Sequence, residues 1–147
     1  MALLTENEQF HLKIKNGDVG RYAILPGDPG RVPLIAKYLD NAEFVASNRE
    51  YTTYTGYLLG EKVSVVSTGI GGPSAAIAVE ELIRSGTDTF IRIGTSGGMD
   101  ISVSGGDLVV AQASIRSEGT SHEYIPENYP AVALLRRDRA ITDACRR

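Results

Sequence analysis

One cysteine, two histidines and no long apolar run put several kinds of chemistry out of reach of this 147-residue chain. Cys145 alone cannot close an intramolecular disulfide, and the cysteine and histidines show no metal-binding spacing. No serine and histidine arrangement suggests a protein nucleophile. No amino-terminal stretch is apolar enough for a signal peptide or a membrane span, so no membrane is expected as a partner and the expected location is the cytoplasm. Positive charge is also scarce. Fifteen Lys and Arg against 18 Asp and Glu give a net charge of −3, which argues against nucleic acid as a partner drawn by long-range attraction. Any anion the chain binds must be held locally.

What is present is an ordinary globular balance, with 42% hydrophobic and 22% charged residues in a length that suits one domain. RYAIL, 21–25, reads as a short strand that "PGDPG" turns into a helix over about 30–39. Strands are expected at 43–47, 51–59 and 62–67, with Gly60 and Glu61 making the last turn between them. After "TGIGGPS", residues Ala76, Val79, Leu82 and Ile83 mark a helical stripe, and Gly86 is its stop. Strands at 88–94 and 107–116 follow, then a polar loop and a helix from about Pro130. This alternation predicts an α/β fold with a mixed, mostly parallel sheet flanked by helices. The last helix has neither a glycine nor a proline stop, so the sequence reads as truncated at its carboxyl end.

Two loops attract attention as anion sites. In "LPGDPGR", 25–31, Asp28 reads as a helix cap and Pro29 as the first helical residue. Arg31 then falls in a first helical turn, where a cation is mildly unfavourable unless an anion lies between it and the helix end. Gly27 permits close backbone approach, while a capped turn with a surface arginine accounts for the same residues equally well. In "FIRIGTSGG", 90–98, Arg92 interrupts an apolar strand, where an unpaired guanidinium would cost several kcal/mol. It needs either a buried Asp or Glu or a bound anion, and the turn from Gly94 to Gly98 offers further donors. The glycines of "STGIGGPS", at 69, 71 and 72, fit neither a dinucleotide fingerprint nor a P-loop. Read by themselves, Arg49 is a solvated turn charge, His11 a surface histidine and Ser74 a residue near a helix start.

In order and spacing, "LPGDPGR", "REYTTYTG", "STGIGGPSAAIAVEEL" and "IRIGTSGG" resemble nucleoside phosphorylase family I, and its uridine branch more than its hexameric purine branch. The resemblance runs from about residue 9 to the carboxyl end. It implies reversible phosphorolysis of uridine to uracil and ribose 1-phosphate in a homo-oligomer, a hexamer built from dimers. Phosphate is then co-substrate and nucleophile, and no organic cofactor is implied. By the resemblance, Gly27 and Arg31 form one phosphate loop and Arg92 with Thr95 the second, these last two being the catalytic residues. Arg49 reaches the phosphate of a neighbouring subunit, and His11 the neighbour's ribose 5′-hydroxyl. Thr95, Ser96 and Gly97 border ribose and base, with Ser96 standing where relatives often carry threonine. Glu50, Ile70 and Ser74 match positions lining a monovalent-cation site, for which potassium is the candidate ion. The family's residues for the base and the ribose hydroxyls belong to a carboxyl-terminal half that this chain lacks. Residues 1–147 are therefore expected to be the amino-terminal part of a single domain, inactive or nearly so alone. The alternatives are a silent phosphate-binding or subunit-interaction module, or a purine phosphorylase of the same family.

Overall fold

The computed structural model describes residues 8–145. The chain divides into two units, Met1–Gly94 and Thr95–Arg147.

The first unit is built on five strands: β1 (Tyr22–Leu25), β2 (Asp40–Asn48), β3 (Tyr51–Leu58), β4 (Glu61–Val66) and β5 (Thr89–Arg92). They pair in the order β2-β3-β4-β1-β5, with β1 parallel to both β4 and β5 and the other two pairs antiparallel. Alternation along β1 and β4 dictates the two faces. Ala23, Leu25 and Val66 face one core, with Leu12, Ile14, Tyr51, Ala78 and Leu82. Val63 and Val65 face the other, with Val32, Ala36 and Leu39 and the half-buried Tyr22 and Ile24. Helix α2 (Gly72–Arg84) covers the first face and α1 (Val32–Ala36) the second. The predicted α/β class and mixed sheet flanked by helices therefore stand, with parallel and antiparallel pairings equal in number.

Several predicted details shift for local reasons. The β3 to β4 turn is Leu59 and Gly60, both at positive φ, and Glu61 already pairs with Leu58. The expected helix over 30–39 is a 3-10 turn, Pro29–Arg31, followed by only five α-helical residues. The stripe on α2 is rotated from its predicted position. Ala78, Glu81 and Leu82 are buried, whereas Ile83 is 52% exposed.

In the second unit, the strand expected over 107–116 shrinks to β6 (Ala113–Ser114), paired with β7 (Ala131–Val132). A strand exists through its neighbours, and residues 107–112 find no pairing strand among the described residues. Because β7 takes up residues that were expected to be helical, α3 begins later, spanning Leu135–Cys145. Arg116 organises the loop between β6 and β7, donating to the carbonyls of Ser121, Ile125, Pro126 and Tyr129 at 2.6 to 3.2 Å. No helix among the described residues is long and apolar enough to cross a membrane.

Candidate anion-binding site

Three parallel strands run side by side, so the segments that leave β1, β4 and β5 emerge at one end of the sheet. Backbone bonds knit those exits together. Thr68 N donates to Pro26 O at 3.0 Å, and Ile93 N to Leu25 O at 3.2 Å. Gly27 lies in the middle, where a Cβ would come within 3.1 Å of Gly69 O and 3.2 Å of Arg92 Nη2. That close approach is the physical reason for a glycine here. The geometry brings Gly27 and the Arg92 guanidinium together, although 65 residues of chain separate them.

Arg92 itself corrects an expectation. Among the described residues it ends the outermost strand of the sheet and is exposed, so no penalty for burying an unpaired guanidinium is seen here. Among the described residues no carboxylate pairs with it. Its Nη1 donates to Leu25 O at 3.0 Å and to Ile93 O, which fixes the plane of the guanidinium and leaves Nη2 turned to Gly27. A fixed guanidinium presents parallel donors suited to an oxyanion. The Asp28 cap is as predicted, its carboxylate accepting from Gly30 N at 2.8 Å. Arg31, however, stands at the N-cap of a five-residue helix, too short for the helix-dipole argument to carry weight. Its place beside the loop follows from the 3-10 turn instead.

The β2 to β3 hairpin is tied to the same end of the sheet. Ser67, fully buried after β4, donates its hydroxyl to Glu50 O at 2.7 Å and accepts from Thr52 N at 2.8 Å. Arg49 forms the tip of the hairpin, exposed and at φ 55, a left-handed conformation uncommon outside glycine. Gly69 takes φ +68, and a Cβ there would meet Glu50 Cγ at 3.0 Å and Ser74 Oγ at 3.1 Å. Glu50 and Ser74 thus converge on Gly69, beside the fully exposed Ile70. A carboxylate and a hydroxyl are hard oxygen donors of the kind an alkali cation takes.

His11 sits on α2, near that hairpin. Its carbonyl accepts from Asn48 Nδ2 at 2.8 Å, and its Nδ1 lies 2.7 Å from Glu81 Oε1. The neighbouring Tyr51 is 1% exposed and donates its hydroxyl to Ser74 O at 3.1 Å. Burial, with Glu50 and Glu81 nearby, pushes its phenol up to about 12. Thr95, Ser96 and Gly97 are exposed, lie outside regular structure and belong to the second unit. Sequence reasoning missed Glu81, Ser67 and Tyr51. Glu81 carried a readable signal, since it shares its helical face with Ala78 and Leu82 at 78, 81 and 82, where an apolar residue belongs.

Comparison with known proteins supplies a context for this geometry. The model of a family described as the phosphorylase superfamily matches residues 21–147. The chain is 51% identical over 139 residues to a uridine phosphorylase of Thermococcus kodakarensis, covering 95% of this chain and 50% of that protein. It is 50% identical over 125 residues to a guanosine phosphorylase of Halorubrum lacusprofundi, covering 85% of this chain and 52% of that one. A crystal structure of uridine phosphorylase from Vibrio fischeri ES114 superposes with a TM-score of 0.93 at 38% identity, covering 98% of this chain and 60% of that chain. The chain spans about half the length of the curated relatives it matches.

Proposed function

Because the chain belongs to the phosphorylase superfamily, we propose that it carries the phosphate-holding side of a nucleoside phosphorolysis site, with uridine as the nucleoside. The observation that carries the proposal is the approach of Arg92 Nη2 to Gly27 where β1, β4 and β5 end. Arg31 and Arg92 hold the phosphate from one subunit, with Thr95 adding a hydroxyl, and Arg49 reaches across from a neighbour. An oxygen of the bound phosphate attacks the anomeric carbon, while the bond from that carbon to the base breaks and its electron pair leaves with uracil. The protein then needs no nucleophile of its own. It positions the anion and sets its charge against the cationic ribosyl carbon of the transition state. His11, Ser96 and Gly97 border the nucleoside, and Glu50, Ile70 and Ser74 hold a potassium ion between paired subunits. The assembly is a homo-oligomer of dimers, hexameric when complete, in the cytoplasm.

In this reading the phosphate and part of the ribose contact fall to this chain, and the base and the remaining ribose hydroxyls to residues outside it. The guanosine phosphorylase that is 50% identical over 125 residues fits that division, since similar sequence occurs in an enzyme named for a purine nucleoside. It also sustains a second reading, in which the nucleoside is a purine. We expect the purified chain to bind ribose 1-phosphate and to release little or no uracil from uridine and phosphate. A folded sample that does not bind ribose 1-phosphate would sink the proposal. Sustained uracil release would show that base recognition is already complete within these residues.

A further inference from the structure

Glu81 is buried to 5% exposure on a face of α2 that otherwise packs apolar side chains, and no lysine or arginine pairs with it among the described residues. Its partners all come from one short segment 69 or 70 residues away in sequence. Oε1 and Oε2 accept from His11 N at 3.0 and 3.1 Å, and Oε2 accepts from Leu12 N at 2.8 Å. Oε1 also meets His11 Nδ1 at 2.7 Å. A carboxylate only accepts, so Nδ1 carries the hydrogen. A neutral imidazole with its hydrogen on Nδ1 has its lone pair on Nε2.

The ring is also clamped in orientation. Phe10 meets it edge-on at 4.9 Å between centroids and Tyr51 at 6.4 Å. The side chain nonetheless keeps 28% exposure, so it is held in place without being sealed off. Simple anchoring of the segment needs only the two backbone N–H bonds. The bond to Nδ1 adds nothing to that anchoring and determines which ring nitrogen accepts.

We propose that Glu81 is a positioning residue for His11, fixing the tautomer with hydrogen on Nδ1 so that Nε2 meets a ligand hydroxyl as an acceptor. This deepens the reading of His11 as a nucleoside contact and rests on it. The hydroxyl recognised is one that donates, as a primary alcohol of a pentose does. An analogue lacking that alcohol gains nothing from the arrangement.

The chain has only two histidines, so nitrogen-15 spectra of its imidazoles can be assigned with the single variant His122→Asn. In mildly alkaline buffer, where an imidazole is ordinarily neutral, the wild-type His11 is expected to show a protonated Nδ1 and an unprotonated Nε2. In Glu81→Gln the tautomer balance moves toward hydrogen on Nε2, ribose 1-phosphate binds about tenfold more weakly, and inorganic phosphate binds as before. The 5-deoxy form of ribose 1-phosphate loses no further affinity in the variant. Hydrogen on Nε2 in the wild type overturns the proposal whether or not the variant folds, and so does an unchanged tautomer in a folded Glu81→Gln. The tautomer is read without ligand, so it stands apart from the functional reading. Were the wild type to show the expected tautomer and bind no ribose 1-phosphate, the nucleoside role would fall and the positioning by Glu81 would stand.

Discussion

A single missing Cβ shapes the candidate anion site. Gly27 lets Arg92 Nη2 approach the β1 exit, and carbonyls of Leu25 and Ile93 hold the other guanidinium nitrogen. The approach of Arg92 to Gly27 was foreshadowed in the sequence, where a glycine and an arginine each lie beside a predicted strand end. The exposure of Arg92 was not legible, since it follows from β5 lying outermost among the described strands, and sheet order is not written locally. Glu81 was invisible as a partner of His11 because hydrogen bonds across some 70 residues leave no spacing to read. Tyr51 carries a prediction of its own. Its phenol is raised from 10.0 to about 12, so the folded state keeps a proton that the unfolded state has lost within that window. Stability is present in full below pH 10 and falls as pH rises toward 12, on the order of 1 kcal/mol per pH unit. Urea titrations across that range should show the decline, and Tyr51→Phe should flatten it while costing about 1 kcal/mol at neutral pH from the lost bond to Ser74 O.

Among elements, legibility followed pairing. Strands β1 to β5 were found within a few residues because alternation and turn residues mark them. Residues 107–112 have an apolar run with no pairing strand among the described residues, and a run alone does not make a strand. On α2 the hydrophobic stripe was misplaced because Ile83 looks like core and is not, while the buried face includes Glu81. Most residues of the loop from Arg116 to Pro130 are exposed. One guanidinium collects four carbonyls, and the Glu118 carboxylate accepts from Thr120 N at 2.7 Å and Ser121 N at 3.0 Å. Arg116→Ala should therefore raise amide exchange across 120–129 on the order of tenfold or more, the equivalent of one or two lost hydrogen bonds. Exchange in β1 and β4 should stay unchanged. If protection in the loop survived the substitution, Arg116 would not be what orders it.

For the molecule as a whole, composition and periodicity were enough to give the α/β class, and four linked motifs were enough to give the family. Neither gave the division at Gly94, since a contact boundary depends on which segments find partners. That boundary falls between Arg92 and Thr95, which the sequence had placed in one loop. Gly27 and Arg92 stand in the first unit, on strand exits that hydrogen-bond to one another directly. The most direct measurement is a calorimetric titration of the purified chain with inorganic phosphate, made on wild type, Arg92→Ala and Gly27→Val, with folding of each verified. The account predicts saturable binding by the wild type, weakened at least about tenfold, or about 1.4 kcal/mol, in each variant. A folded wild type that takes up no phosphate, or an Arg92→Ala that binds it equally well, would contradict it.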